Sequence, residues 1–374
     1  MGFGNRAVSH GRRDGVIIAI PVKNEESRIG TCLDALARQS TAPDRILLLL
    51  NNCSDRTGDI AGAAAARDGR ICVIERDLRG AQASAGEARR LVLDAALEMA
   101  GAQSVIITSD ADCEAGPDWV GENLREIGRG ADVVCGKARV MAEAGNTAPG
   151  QLPFDLAREA MYAALLDEIA ALVDPDPADP WPRHQQNSGA SIAMTAAILD
   201  KAGGAPSVPV GEDRALVERF RLFDARIRHA PGLEIAVSGR WEGRAAGGMA
   251  DALVRRAAKP DEETDAALEP AVDAFRRVVA RRRLRGVRDG GTDGATLARD
   301  LLVGPDVMAA ALASRMFGAA WAAVEAASPV LQRRRVKFVG LAGETRQAIA
   351  VRDQMRLTAD ALAPMRQSGG LRVG

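Results

Sequence analysis

The sequence predicts an α/β fold, a mostly parallel sheet flanked by helices, with a helical region at the C-terminal end. Three observations lead there. Short, continuous apolar runs alternate with segments of helical spacing from Val16 to Thr108. Polar clusters follow directly on those runs. From about Gly247 onward the chain turns Ala- and Arg-rich with helical spacing. Strand–helix–strand repeats place their strands parallel, because the crossover is right-handed and lays helices on the sheet faces.

Val16–Ile20 is an unbroken apolar run suited to a strand buried on both faces. Ile29, Cys32, Leu33 and Leu36 recur at the spacing of one helix face. Ile46–Leu50 predicts a second buried strand and Asp55–Arg67 a second helix. Ile71–Ile74 and Val105–Thr108 are further strands, separated by a helix over Ser84–Ala100. Asp174-Pro175-Asp176-Pro177-Ala178-Asp179-Pro180-Trp181-Pro182 is punctuated by proline and predicts a loop. The late helical stretch is broken at Lys259-Pro260 and Gly290-Gly291. The expected organisation is a flexible N-terminus over 1–14, an α/β domain over 15–246 and a helical region over 247–374.

Lys and Arg together number 49 against 50 Asp and Glu, so no net field points to nucleic acid or an acidic partner. The five cysteines are scattered and form no C-x-x-C, which fits a reducing compartment better than a disulfide framework or a zinc site. The first residues are polar and hold no signal peptide, Arg6 stands where N-myristoylation needs Ser or Thr, and no apolar run reaches the length of a membrane span. A cytoplasmic protein is expected. The most basic stretch, Arg276 to Arg285, reads as a solvated helix face or as a peripheral anchor at the inner membrane surface, where it would suit a lipid-linked substrate. It lacks the aromatic interleaving of a nucleic-acid module.

The run Val105–Thr108 leads into Ser109-Asp110-Ala111-Asp112. Alternation along an extended backbone sends Asp110 and Asp112 to one side. Two carboxylates that close repel each other unless a cation lies between them, and a hard divalent ion carrying a diphosphate suits oxygen ligands with open positions. The other reading is a pair of loop-initiating aspartates. Pro21-Val22-Lys23-Asn24-Glu25-Glu26 follows the first strand, with Asn24 placed to cap a helix. Asn51-Asn52-Cys53-Ser54-Asp55-Arg56-Thr57 follows the second. Ligands of such sheets bind at the carboxyl ends of strands, which is where these clusters fall. His229 reads as a structural histidine or a third metal ligand, and His184, ahead of Asn187-Ser188-Gly189, as a substrate contact or a loop residue.

Taken together, these clusters resemble the nucleotide-sugar domain of family 2 glycosyltransferases, which adopt the GT-A fold. The likeness continues through Gly86-Glu87-Ala88-Arg89-Arg90, the glycine-containing Asn187 to Met194, Gly203-Gly204 and Gly211-Glu212-Asp213, and spans roughly Val16 to Arg244. It implies a metal-dependent transfer of a single sugar from a nucleotide diphosphate donor to an acceptor hydroxyl, with inversion. It further implies a nucleotide-binding half over 15–140 and an acceptor half over 141–246. Asp110 and Asp112 would hold Mn or Mg, with Asp110 shared with the donor. Pro21, Lys23, Asn24, Glu25, Asn51, Asp55 and Arg89 would line the donor site. His184 and Gly189 would lie at the acceptor, small-molecule or lipid-linked. Asp213 would be the general base that deprotonates the acceptor, aided by Glu212. Arg240 and Arg244 would bind diphosphate through their guanidinium forks.

The chain departs from the family's pattern at Lys23, where an aromatic commonly stacks near the donor base, and at Asn51, where an acid usually reads a uracil edge. Both leave the donor nucleotide open. The Q-x-x-R-W motif of processive synthases is missing around Arg240-Trp241, so a non-processive enzyme is expected. A retaining GT-A enzyme acting on a small phosphorylated acid and a non-catalytic nucleotide-sugar-binding scaffold are the alternatives.

Overall fold

The computed structural model describes residues 14–141, 152–239, 264–290 and 293–368. Four strands, β1 (Val16–Val22), β2 (Arg45–Asn51), β3 (Ile71–Arg76) and β4 (Val105–Thr108), form its parallel side. They are joined through helices α1 (Ile29–Ala37), α2 (Thr57–Arg67) and α3 (Ala85–Met99). Beyond β4 the chain adds β5 (Cys113–Ala115), α4 (Trp119–Gly128), β6 (Val133–Val140), α5 (Leu152–Val173), β7 (Ile192–Thr195), α6 (Ala196–Lys201), α7 (Glu212–Leu222) and β8 (Ile227–Val237). The eight strands make one sheet in the order β3-β2-β1-β4-β7-β6-β8-β5.

The parallel half follows directly from composition. Ile17 to Ile20 and Ile46 to Leu50 are buried on both faces, so no alternation is visible in those runs. On α1, Ile29, Cys32, Leu33 and Leu36 form one buried stripe against this sheet, worth about 1.5–3 kcal/mol for each fully buried large aliphatic. α3 opens on a side-chain N-cap: Ser84 Oγ accepts from the Glu87 N–H at 3.1 Å. The other half of the sheet is mixed. β7 runs antiparallel to both β4 and β6, and β5 runs antiparallel to β8, while β6 and β8 are parallel. Strand–helix alternation does not announce those reversals, because the composition of a strand does not state its direction and β5 is only three residues long.

By contacts the chain falls into two compact units, the first of 1–143, 186–220 and 225–248, the second of 144–185, 221–224 and 249–374. The expected organisation groups 144–185 with the α/β domain. By contact this stretch goes with the C-terminal helices, because Tyr162, Leu165, Ile169 and Val173 of α5 share a core with Leu268, Ala271, Leu341 and Ala348. That second unit contains α8 (Ala271–Arg288), α9 (Gly294–Asp300), α10 (Pro305–Ala313), α11 (Phe317–Ala327) and α12 (Leu341–Ser368). The proline-punctuated stretch from Asp174 to Pro182 is irregular, as expected.

The basic run on α8 is turned to internal use. Arg277 pairs with Glu269 and Glu325, Arg281 and Arg285 with Asp174, and Arg283 with Asp300. Arg282 donates to the Val173 carbonyl at 2.7 Å. These partners lie within the same unit, so the run is not a uniformly solvated face. Among the described residues, no helix is long and apolar enough to cross a membrane.

Candidate active site

The strand tips of the first unit are laced to one another. Asn24 takes a left-handed backbone, φ +53, as does Asn52, φ +52. Asparagine tolerates this region better than most side chains do. Asn24 does not cap α1, contrary to the expectation. The N-cap is Arg28, without a side-chain bond. Asn24 turns instead to the neighbouring loop: its Nδ2 donates to Ser54 Oγ at 3.3 Å and its Oδ1 accepts from the Ser54 N–H at 2.8 Å. Asp55 spans the same gap, accepting from the Glu26 N–H at 3.2 Å and the Thr57 N–H at 3.0 Å. Burial opposes ionisation there, but the bonds from Thr57 and Glu26 prevail and hold the Asp55 carboxyl below its usual range. α2 accordingly begins at Thr57 rather than at Asp55.

The other expected donor residues occupy the same rim. Pro21 lies on β1 beside Leu49 of β2. Lys23 is half-buried, and Glu25 is buried, its N–H donating to Thr57 Oγ1 at 2.8 Å. Asn51 is 2% exposed, and its side-chain oxygen has no partner among the described residues.

One side chain gathers the rest of the site. The Arg89 guanidinium, buried on the first turns of α3, bonds to Asp110 Oδ1 at 2.5 Å and to Glu212 Oε1 at 3.2 Å. It also donates to Thr108 Oγ1 at 2.6 Å and to the Gly189 carbonyl at 3.2 Å. The fork geometry of guanidinium makes such multiple contacts possible. Burial works against its charge, yet the Asp110 and Glu212 carboxylates hold it firmly protonated. At Gly189 a Cβ would stand 2.5 Å from the Arg89 guanidinium, which would then have to shift from its partners. Gly86, one turn before Arg89, is constrained more tightly: a Cβ would meet the Val208 carbonyl oxygen at 1.9 Å.

Asp213 completes the cluster. Gly211 adopts φ +73 and turns the chain into α7, whose first residues are Glu212 and Asp213. The Gly189 N–H donates to Asp213 Oδ2 at 3.2 Å, and the Arg214 N–H to Oδ1 at 2.7 Å. Burial raises the Asp213 carboxyl above its ordinary value, and Glu212 adds to this while Arg89 opposes it. Such a carboxylate is a stronger proton acceptor than a free aspartate.

Asp110, Asp112 and Cys113 bring ligand atoms within 4.8 Å of one another, the single such group among the described residues. Burial pushes the Cys113 thiol well up, and the two aspartates push it further. Asp110 and Asp112 offer hard oxygen donors of the kind that fit Mn2+ or Mg2+.

His229 is buried on β8, its Nε2 3.1 Å from Asn187 Oδ1. His184 is buried and belongs to the second unit. Arg240 and Arg244 lie outside the described residues. The sequence reading missed Thr108. A hydroxyl fully buried at a strand end needs a partner, which is the signal that points to it.

Residues 17–166 match the model of glycosyl transferase family 2. The chain carries a family 2 glycosyltransferase domain. The protein is therefore an enzyme of the glycosyltransferase class, and its helix-flanked sheet and C-terminal helices are the α/β class that the sequence predicts. No curated protein matches it in sequence. Among solved structures, the chain is similar to glucosyl-3-phosphoglycerate synthase from Mycobacterium tuberculosis in complex with Mn2+, UDP-glucose and phosphoglyceric acid. That likeness has 18% identity, covers 72% of this chain and 79% of that one, and has a TM-score of 0.40. It is similar to the mannosyltransferase PcManGT from Pyrobaculum calidifontis in complex with GDP-mannose and Mn2+, at 16% identity over 93% and 84% of the two chains, TM-score 0.43. It is similar to S. aureus TarS in complex with UDP, at 14% identity over 92% and 91%, TM-score 0.44. The assignment of the glycosyltransferase rests on the family match.

Proposed function

We propose that this glycosyltransferase moves a single sugar from a nucleotide diphosphate donor to an acceptor hydroxyl, with inversion, non-processively and with a divalent metal. The observation that carries the reading is the bridge made by Arg89. A single guanidinium joins Asp110 at the tip of β4 to Glu212 at the start of α7, so two acid clusters far apart in sequence form one site. The first suits a metal and diphosphate, the second an acceptor hydroxyl.

Asp110 and Asp112 would hold Mn2+ or Mg2+, which when bound supplies a Lewis acid for the charge gathering on the leaving diphosphate. The remaining work falls to the chain. Asp213 accepts the proton of the acceptor hydroxyl as its oxygen attacks the anomeric carbon, and the diphosphate departs from the opposite face. Bonds from Gly189 and Arg214 fix the orientation of that carboxylate. Glu212, held by Arg89, keeps the turn in place. The laced tips of β1 and β2, with Lys23 and Asn51, make the floor for the donor nucleoside. The basic run on α8 is occupied by Glu269, Asp174 and Asp300, so the site itself, rather than a membrane anchor, is what recommends an acceptor.

The test is a thermal-shift screen of uridine, guanosine, adenosine and cytidine diphosphates with and without Mn2+, followed by transfer assays with the stabilising nucleotide's sugars. Metal-dependent stabilisation by one nucleotide and a product of inverted anomeric configuration by proton NMR are expected. A product that keeps the donor's configuration would remove Asp213 as base. Stabilisation without any transfer or donor hydrolysis would leave a binding protein.

A further inference from the structure

Arg89 and a metal on Asp110 compete for the same carboxylate. The guanidinium lies 2.5 Å from Asp110 Oδ1 and 3.2 Å from Glu212 Oε1, and also touches Thr108 and Gly189. Asp110 is about one-third exposed on its side chain whereas Arg89 is 7% exposed, so solvent and ions reach the carboxylate and not the cation behind it. A divalent ion arriving at Asp110 is repelled by Arg89 and draws off the negative charge that holds it. The other carboxylate that Arg89 bonds is Glu212, and the Asp213 charge also acts on it. Gly189, whose carbonyl also accepts from Arg89, gives its N–H to Asp213.

We infer that Arg89 is a positioning residue that couples metal binding at Asp110 to the placement of Glu212 and Asp213, by dividing its guanidinium between the two acid clusters. The inference rests on the proposed function insofar as Asp110 is a metal ligand. It differs from a donor-binding role for Arg89, because it works before any donor arrives. Coupling of this kind is reciprocal: what loosens Arg89 from Asp110 favours the metal, and what commits Arg89 to Asp110 disfavours it.

The experiment measures Mn2+ affinity of the full chain without donor, by electron paramagnetic resonance of free Mn2+, alongside kcat and donor KM. Arg89→Met keeps an unbranched apolar stem in place of the cation. It is expected to bind Mn2+ roughly fivefold or more tightly while kcat falls and donor KM stays close to that of the parent. Arg89→Lys restores the charge and should return Mn2+ affinity toward the parent value with part of kcat. Glu212→Gln leaves Arg89 to Asp110 alone and should weaken Mn2+ binding by a similar factor. In the Arg89→Met background the same Glu212→Gln change should do nothing, which isolates the path through Arg89.

Should Arg89→Met fail to fold, the inference stands or falls on Glu212→Gln and Arg89→Lys. Unchanged Mn2+ affinity in Glu212→Gln overturns it, as does a raised donor KM at constant kcat in Arg89→Lys, the mark of direct donor contact. A parent chain that takes up no Mn2+ would instead overturn the metal-dependent function itself. Normal metal uptake and transfer with no coupling between the two positions would remove the Arg89 inference alone.

Discussion

The backbone N–H of Gly189 donates to Asp213 Oδ2 over 3.2 Å, tying the loop before β7 to the first turn of α7. That bond aims the carboxylate, while burial keeps its proton affinity above that of an ordinary aspartate and Glu212 adds to the effect. A base works only when ionised, so transfer must fail as pH drops through the raised value. The acid limb of kcat/KM against pH is expected above the ordinary aspartate range. Asp213→Asn should lower kcat by roughly 10²–10⁴-fold. An acid limb at the usual aspartate position, or full activity in the Asn variant, would count against Asp213 as base.

At the tip of β4, the Asp110 and Asp112 carboxylates lie close enough together to share a metal ion. Chelation should abolish transfer, with activity returned by Mn2+ or Mg2+. Asp112→Ala should fold normally yet lose the stabilisation that metal plus nucleotide gives the parent, about 2.7 kcal/mol at a hundredfold excess over Kd. Equal melting shifts in parent and variant would place the metal elsewhere.

The reciprocal bonds between Asn24 and Ser54 hold two strand-tip loops together, and Asn24 sits at φ +53 to do so. Asn24→Ala loses both bonds and leaves a methyl side chain in the left-handed region. The first loss is worth about 0.5–1.5 kcal/mol for each bond. The second costs about 1–2 kcal/mol. Asn24→Gly loses the bonds but not the backbone freedom. Denaturation of the three proteins should rank them parent, Gly, Ala. The reverse order of the two variants would mean that the turn, rather than the side chain, is dispensable.

The parallel half of the sheet was legible because doubly buried strands leave unbroken apolar runs, as at Ile17 to Ile20 and Ile46 to Leu50. The reversals beyond β4 were not, because an apolar run as short as that of β7 does not state the direction in which it pairs. Within the site, Asp110 and Asp112 could be picked out by type and spacing, and Glu212, Asp213 and Arg89 only through the family resemblance. That Arg89 joins the two acid clusters could not be read, because no spacing in a sequence states which carboxylates a buried guanidinium meets. Asn24 was misread as a helix cap for a related reason. Its type fits a cap and a left-handed turn equally, and the choice is made by Ser54, thirty residues away in sequence. The basic run on α8 looked solvated because its acidic partners, Asp174, Glu269 and Asp300, lie off its own helix or just ahead of it.

The second unit carries its own titration. Asp167 of α5 is 2% exposed, and its Oδ1 has no partner among the described residues. Burial pushes its carboxyl up to about 7, against the pull of Arg183 and a bond from Gln185, with Asp179 adding to the rise. In the unfolded chain the same group titrates near 3.8. Between those two values the folded protein holds a proton that the unfolded chain has released, so stability falls as pH rises through that window. Above about 7 the fold must keep an ionised carboxylate out of water. At about 1.4 kcal/mol per pH unit, the loss has an upper bound of about 4 kcal/mol. Asp167→Asn has no proton to release, and its melting temperature should therefore change less between pH 5 and pH 8 than that of the parent, as about one side chain's titration requires. Parallel pH profiles for parent and variant would show that Asp167 is ionised in the fold throughout, held by Arg183 more strongly than burial opposes it.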